Sequence, residues 1–312
     1  MNQDTIEIRA DSIQTETASR DAPIAEPHSL AHGPGALRTI LLVARVTFLE
    51  AARRKILWIA ALVGIAFLAL FYTALHYSML VNGHRIPLIQ LHENLTMMTL
   101  MVMYAGSMMT SLMAVLISCD TLSGEVSSGT IHAIATKPVQ RWCLVFGKWI
   151  GFLVMLSLYV PLIAGGAIAD CWLASGYLPP HGFTVLSLVW LQAVVLLSVT
   201  MLAGTRFSTL SNGAISLGLF GLAFVGGWIE QIGYFQHVKA CVNLGILSSL
   251  IMPSDSLWRR AAFKFQPPLV AASGVSPFSF SIAPSNAMVV YAIVYALLAI
   301  LLAQVFFARR DL

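Results

Sequence analysis

Apolar residues dominate six long stretches of this chain, and polar residues are concentrated in the segments between them. The bilayer core requires about 20 mostly apolar residues for each helix that crosses it. Six windows meet or approach that length: 56–75, 95–117, 144–169, 183–203, 212–229 and 288–307. The pattern therefore predicts an all-α integral membrane protein with six transmembrane helices.

The composition agrees with this pattern and excludes an ordinary soluble domain. The 312 residues are 58% hydrophobic and only 10% charged, whereas soluble domains carry roughly 25% charged residues. The mean hydropathy of +0.80 is also typical of an integral membrane protein. The four cysteines show no C-x-x-C spacing, so we expect free thiols and no metal site.

Basic residues indicate which ends of the six helices face the cytoplasm. They border one set of helix ends at Arg53, Arg54, Lys55, Lys137, Arg141, Lys148, Arg206, Arg309 and Arg310. In the first two loops on the opposite side, only Arg85 is basic. The positive-inside rule and the even number of spans predict that both termini are cytoplasmic. Because the basic residues form no patch with aromatic residues, nucleic-acid binding has no support.

The segments before the first span differ from the rest of the chain. Residues 1–36 hold six acidic and two basic residues with no apolar run, which is typical of a disordered cytoplasmic tail and not of a signal peptide. Residues 37–55 place apolar side chains at helical spacing, which favours an interfacial "elbow" helix in the headgroup plane. A cytoplasmic extension of the first span is the alternative. The remaining residues, 56–312, form the predicted six-helix domain.

The fifth window carries small residues at the spacing of close helix packing. Two small-x-x-x-small pairs are formed by Ala214 with Gly218 and by Ala223 with Gly227. Such pairs let another helix approach the backbone closely. The approaching helix belongs either to a second subunit or to the same chain, and the pattern does not separate these two possibilities. In the third window, Pro161 predicts a kink because proline removes a backbone donor.

Residues 230–285 form a long segment that this topology places on the outer side. Its apolar run is too short to span the membrane, and aromatic residues there alternate with basic ones. We expect one or two helices that lie on the outer leaflet or dip into it. The segment either caps the helix bundle or gates an exit path.

The polar interruption at 118–142 is the most informative part of the chain. Ser127 or Ser128 is a suitable cap for a short helix whose apolar face is Ile131 and Ile134, and Pro138 ends that helix. A short rigid element attached to spans two and three is suited to transmit a push from another protein. A passive polar loop is the alternative.

This loop resembles the cytoplasmic loop of bacterial type-2 ABC transporter permeases. The shared features run from Gly124 and Glu125 through Gly129 and Thr130 to Lys137, Pro138 and Arg141, and then to Gly147, Lys148 and Gly151. The ending at 308–312 and the basic elbow before span one are also similar to those of such permeases. Together the motifs cover about 35 residues, while the resemblance in topology covers most of the chain.

The resemblance implies a permease subunit of an ABC exporter in the bacterial inner membrane. In that family the loop helix docks on a separate ATPase, which implies coupling contacts at Glu125, Gly129, Thr130, Ile131, Ile134, Pro138 and Arg141. The chain itself has no G-x-x-x-x-G-K-[ST] motif. Two ATPase subunits, which hold ATP and magnesium, and a second permease copy are therefore the expected partners, and no cofactor is expected in this chain.

Other candidate chemistry is weaker. Methionines in the second window and histidines at 76, 84 and 92 lack the convergent spacing of a metal site. No catalytic arrangement is legible, so we expect no enzyme. Charged residues are absent from the middle of the spans, which disfavours an ion-driven carrier. An ion-driven carrier and an intramembrane maturation scaffold or enzyme remain the alternatives. Transport without nucleotide would reveal an ion-driven carrier. Loss of function on substituting the histidines would reveal an intramembrane scaffold or enzyme.

Overall fold

The computed structural model describes residues 35–82, 87–121, 123–124, 141–266 and 284–309. Within these ranges the chain is helical and contains no β-strand. The helices are α1 (Ala36–Arg53), α2 (Lys55–Asn82), α3 (Leu88–Ser118), α4 (Arg141–Val160), a π-helical turn (Pro161–Gly165), α5 (Gly166–Ser175), α6 (Gly182–Gly204), α7 (Thr209–Phe235), α8 (Lys239–Ile251), α9 (Ser254–Phe265) and α10 (Asn286–Ala308).

Six helices of the described chain are long and apolar enough to cross a membrane, which confirms the predicted number. Numbered in chain order, spans one to six are Lys55–Leu80, Leu88–Ser118, Trp142–Ser175, Gly182–Gly204, Thr209–Phe235 and Asn286–Ala308. Span four is the most enclosed, because spans two, three, five and six and helix α9 all pack around it. The outward faces of the other spans carry exposed leucine, isoleucine and valine side chains, as expected of surfaces in contact with lipid.

Helix α1 occupies the segment predicted as the elbow helix. Its buried residues are Ile40, Ala44, Thr47 and Ala51, and their spacing of three or four places them on one face. That face packs along α4. The chain bends at Arg54, directly before α2 begins. The structure therefore contains a separate helix before span one, while its position relative to a membrane surface stays a prediction.

Span three changes from α-helical to π-helical geometry at Pro161, where the sequence predicts a kink. Pro161 has no backbone N–H to donate, and a single π turn accommodates this locally. Within that turn, Ile163 packs against Gly64 of span one and Gly106 of span two. A methyl group at either glycine would overlap the Ile163 side chain. The two glycines therefore leave the space in which the π-helical turn packs against spans one and two.

Helices α8 and α9 form a hairpin whose axes meet at 109°. Helix α8 runs back along α7, because Gly233 lies against Cys241 and Gly226 lies against Ser248. Tyr291 and Tyr295 of span six donate hydrogen bonds of 2.6 and 2.8 Å to the carbonyls of Leu250 and Ile251 at the end of α8. The structure thus has two short helices within the segment predicted to lie on or dip into the outer leaflet.

Span five is longer than the hydrophobic pattern predicts. The helix continues past the predicted end at residue 229 to Phe235, so Glu230 lies within it and does not begin the loop. Arg259 of α9 lies 2.9 Å from the carboxylate of Glu230, which explains how a charged residue is accommodated there. Residues 1–34 of the predicted tail, the centre of the loop at 125–140 and residues 267–283 lie outside the described residues.

Candidate functional site

The first residues of the polar loop lie close to the beginning of span five, to the bend after α1 and to Lys148 of span three. We call the residues that meet there the loop base. It consists of Arg54, Cys119, Asp120, Thr121, Ser123, Lys148, Thr209 and Asn212. These residues come from four separate parts of the chain, so the loop base joins elements that sequence separation keeps apart.

Asp120 is the central residue of the loop base. Its carboxylate accepts a hydrogen bond of 3.0 Å from the hydroxyl of Thr209 and lies 3.6 Å from the guanidinium of Arg54. Its backbone carbonyl accepts a hydrogen bond of 2.8 Å from the amide of Gly124. A side chain at position 124 would overlap the Asp120 carboxylate, so this turn requires a glycine. One residue therefore contacts the bend after α1, span five and the next turn of the loop.

Span five is also fixed to the end of span two by buried hydrogen bonds. The amide of Asn212 donates a hydrogen bond of 2.9 Å to the carbonyl of Cys119, and Ser123 and Thr209 share a hydroxyl contact of 2.9 Å. Asn212 is fully buried, as is Ser216, which donates to it at 3.4 Å. Because buried hydrogen bonds are costly to break without replacement, they hold the two spans in one register.

Lys148 connects span three to the same place. Its side chain is buried, and its ammonium group lies 3.5 Å from the carbonyl of Thr121. A lysine in such a position extends along apolar surface and brings its charge to a polar group at the edge. The two helices that flank the loop are therefore connected to each other below it.

Helix α1 contacts span three through two glycines at the spacing of close helix packing. A Cβ atom on Gly151 would lie 2.7 Å from the carbonyl oxygen of Ala44, and one on Gly147 would lie 2.9 Å from that of Ile40. Backbones approach this closely only where one partner lacks a side chain. Helix α1 is therefore in close backbone contact with the first turns of span three.

The family model described as ABC-2 family transporter protein matches residues 41–312. The chain belongs to the ABC-2 transporter family. This match spans all six candidate membrane helices and confirms the resemblance of the chain to ABC-2 type permeases. A search of curated proteins finds no match to the chain. The family supports a role as the membrane subunit of a transporter.

The predicted coupling residues of this ABC-2 protein remain predictions. Glu125, Gly129, Thr130, Ile131, Ile134 and Pro138 lie outside the described residues, and Arg141 is described only as the first residue of α4. The structure describes the start of the loop, where Asp120, Thr121 and Ser123 belong to the loop base. Gly147, Lys148 and Gly151, which the motif also includes, all lie at contacts that bind the loop ends to α1 and span two.

The small residues of span five divide between two environments. Gly227 lies against Asp255 of α9, and Ala223 is fully buried within the described chain. A Cβ atom on Gly218 would meet nothing within 4 Å. Gly227 therefore serves packing within the chain, while Gly218 leaves a surface to which another helix has close access.

Sequence reasoning on this ABC-2 protein missed most of the loop base. Asp120 lies within the polar interruption at 118–142 but is not among the predicted coupling residues, and Thr209 and Asn212 carry no motif. The available signal was a set of polar residues at the first turn of span five, where a transmembrane helix needs none. Their partners are some 90 positions away in the chain, so no local pattern identifies them.

The histidines considered above as metal ligands belong to no metal-binding cluster in the described chain. Among the described residues no group of three or more His, Cys, Asp or Glu side chains is placed to hold a metal ion. His92 stacks on Tyr177 with ring centroids 4.2 Å apart, and His76 stacks on Tyr72. His84 lies outside the described residues.

An apolar cleft of about 580 Å³ opens between spans three, four and six of this ABC-2 protein. Its walls include Pro161, Trp190 and Ile293, and the indole N–H of Trp190 donates a hydrogen bond of 2.9 Å to Ser157. Because the indole N–H of Trp190 is already hydrogen-bonded to Ser157, the tryptophan presents an apolar surface to the cleft. The cleft suits a hydrocarbon chain and not a charged molecule.

Proposed function

We propose that the chain is the membrane-spanning subunit of an ATP-driven exporter and converts work done by a separate ATPase into movement of its spans. A second copy of the chain completes the permease, and two ATPase subunits bind the loops on the cytoplasmic side. ATP and magnesium belong to those partners, and the chain has no catalytic residue of its own. The proposed location is the bacterial inner membrane with both termini in the cytoplasm.

The observation that carries this proposal is the arrangement of the loop base. The described start of the segment that resembles the ATPase-binding loop of the family contacts span three, span five and the bend after α1. A displacement of these residues is therefore passed to all three elements. This arrangement is expected of a transmission element and has no evident use in a passive loop.

The proposed transport mechanism follows from the contacts of the loop base. ATP binding draws the two ATPase subunits together, and they press on the short helices predicted at 128–136. The loop base transmits this displacement through Asp120 to span five and through Arg54 to the bend before span one. Spans one, two and five of the paired subunits then tilt and open a path to the outer side.

A second permease copy is supported by the open small-residue face of span five. Ala214 and Gly218 lie one turn apart, and a Cβ atom added to Gly218 would meet nothing within 4 Å in the described chain. In a bilayer, small residues at this spacing favour close approach of a second helix. Pairing at this face would place the fifth spans of two copies beside each other.

The experiment that tests the coupling proposal is charge reversal at Glu125. The complex of permease and ATPase is reconstituted in lipid, and ATP hydrolysis and substrate transport are measured for wild type and Glu125→Lys. We expect the variant to insert and assemble normally but to lose transport-coupled ATP hydrolysis. Glu93→Lys, a charge reversal near the opposite end of span two, is the matched control and should retain both activities. Full coupling in the Glu125 variant would overturn the assignment of that residue.

A further inference from the structure

Three charged side chains from two helices meet where the α8–α9 hairpin packs on span five. The guanidinium of Arg259 lies 2.9 Å from the carboxylate of Glu230 and 2.9 Å from that of Asp255. It also donates a hydrogen bond of 3.0 Å to Ser249 of α8. The Asp255 and Arg259 side chains are only 7% and 8% exposed, and that of Glu230 is 22% exposed. We call Glu230, Asp255 and Arg259 the charge triad.

The charge triad contains two carboxyl groups and one guanidinium. An arginine is always protonated in proteins, so two ionised carboxylates leave one uncompensated negative charge in a buried site. Binding of a single proton removes that excess charge. The composition of the triad therefore favours a neutral state with one carboxyl protonated.

Hydrogen bonding within the triad is also incomplete. Although the ion-pair distances are short, Asp255 Oδ2, Glu230 Oε2 and Arg259 Nε have no well-directed hydrogen bond in the described chain. Two further polar groups of α9 have no hydrogen-bond partner there, the hydroxyl of Ser254 and the indole N–H of Trp258, and both residues are at most 2% exposed. Buried groups without partners are rare in native proteins and require an explanation. A proton on a carboxyl supplies one of the missing donors.

The position of Asp255 makes its ionisation matter for packing. Its carboxylate lies directly on Gly227 of span five, where any side chain would overlap it. Next to it, Gly226 admits Ser248, and a Cβ atom on Gly245 would lie 2.7 Å from the carbonyl of Gly226. The hairpin therefore fits a glycine-lined notch, and the carboxyl group of Asp255 occupies the end of that notch.

We propose that the charge triad is a proton-binding site in which the proton resides on Asp255 and holds the α8–α9 hairpin against span five. Release of the proton leaves two carboxylates around one guanidinium and weakens the attachment of α9. In the topology proposed above, the hairpin opens to the outer side, so the triad responds to the external pH. The proton site itself depends on the fold and not on the transport assignment.

The surroundings of Asp255 support this assignment. Burial raises its pKa to about 7, Arg259 opposes that rise, and the charge of Glu230 adds to it. The titratable or charged groups that face Asp255 in the described chain are Arg259 of α9, Glu230 of α7 and the phenol of Tyr104 of α3. Arg260 is directed elsewhere, because it donates to the carbonyl of Pro284 and to Asn286. Burial thus favours the protonated form of this carboxyl group.

Infrared difference spectroscopy of the full-length protein in lipid nanodiscs tests the proposal, because a protonated carboxyl has a carbonyl band that a carboxylate lacks. We expect wild type to lose such a band as pH is raised, with a midpoint near 7. Asp255→Asn should lack the titrating band, and Glu93→Gln, which removes an unrelated carboxyl, should retain it. Asparagine mimics the protonated carboxyl, so the variant is expected to fold at all pH values tested.

A second variant provides an independent measurement. Glu230→Gln removes the competing carboxylate and leaves Arg259 to Asp255 alone, so the midpoint of the band should fall by at least about one pH unit. A wild-type protein without a band that titrates near neutral pH would overturn the proposal. A band that survives in Asp255→Asn, or a midpoint that Glu230→Gln does not lower, would overturn it as well.

Discussion

The hydroxyl of Thr209 donates a hydrogen bond of 3.0 Å to the carboxylate of Asp120, which joins the first turn of span five to the chain directly before the polar loop. Arg54 approaches the other oxygen of the same carboxylate at 3.6 Å. Spans two and five and the bend before span one therefore share a single side chain.

Thr209→Val tests whether this hydrogen bond contributes to coupling. The change keeps the shape of the side chain and removes the donor, so its cost in folding stability should be about 0.5–1.5 kcal/mol. We expect the ATP hydrolysis that the permease stimulates in its partner to fall, roughly fivefold for each kcal/mol of coupling lost. Thr73→Val is the control, because the Thr73 hydroxyl donates only to a carbonyl of its own helix. Equal activities of the two variants would contradict the role of Thr209.

Gly151→Ala should separate α1 from span three. A Cβ atom at this position would lie 2.7 Å from the carbonyl oxygen of Ala44, and a backbone atom has little freedom to move away. We expect a loss of about 1–3 kcal/mol in stability, as for other overpacked sites. Thermal unfolding in lipid or detergent measures it.

Gly165→Ala is the matched control for that substitution. Gly165 is also in span three, but a Cβ atom there would make only ordinary contacts at 3.8 and 4.0 Å. If both alanine variants unfold at the same temperature, the contact between α1 and span three does not depend on the glycine.

Gly227→Ala should release the hairpin from span five. The added methyl group would overlap the carboxylate of Asp255, so either α9 or the carboxylate must move. Hydrogen exchange should then increase within α8 and α9. Gly221→Ala, in the same helix with nothing within 4 Å of its Cβ position, should leave that exchange unchanged. Unchanged protection in both variants would show that the notch does not hold the hairpin.

The predicted contact between two permease copies is tested by disulfide trapping. Gly218→Cys should form a covalently linked dimer on mild oxidation, because span five offers close approach there. Leu158→Cys is the control on span three, where the side chain is 62% exposed but no small-residue spacing is present. Efficient cross-linking at 158 with none at 218 would place the dimer contact on a different face.

The charge triad should also make stability depend on pH. The folded-state pKa of Asp255, about 7, lies above the ordinary value of 3.8, because burial disfavours its charged form. The folded state therefore binds the proton more tightly, and this contribution is complete below pH 3.8 and lost as pH rises through 7. We expect the free energy of unfolding to fall across this range by an amount on the order of a few kcal/mol. The unfolding temperature should fall with it. Asp255→Asn should remove that part of the slope, and an unchanged slope would show that Asp255 is not its source.

Local patterns of apolar residues were enough to predict the number of spans, a helix at 37–55 and short helices between spans five and six. Each of these depends on properties that a single segment carries, namely the apolar run and its periodicity. The motif around Gly147 and Lys148 identified the family for the same reason, because its residues are close together in the chain.

The contact partners of a residue depend on how the helices pack, and no single segment of the sequence predicts them. The sequence pattern ends span five before Glu230, because a charged residue interrupts the apolar run. In the structure Arg259 pairs with Glu230, and the helix continues past it. Likewise, Gly218 and Gly227 follow the same spacing, yet one is open and the other lies against Asp255. Helix formation is local, whereas the neighbours of a side chain are set by how the helices fit together, and that fit brings together residues far apart in the chain.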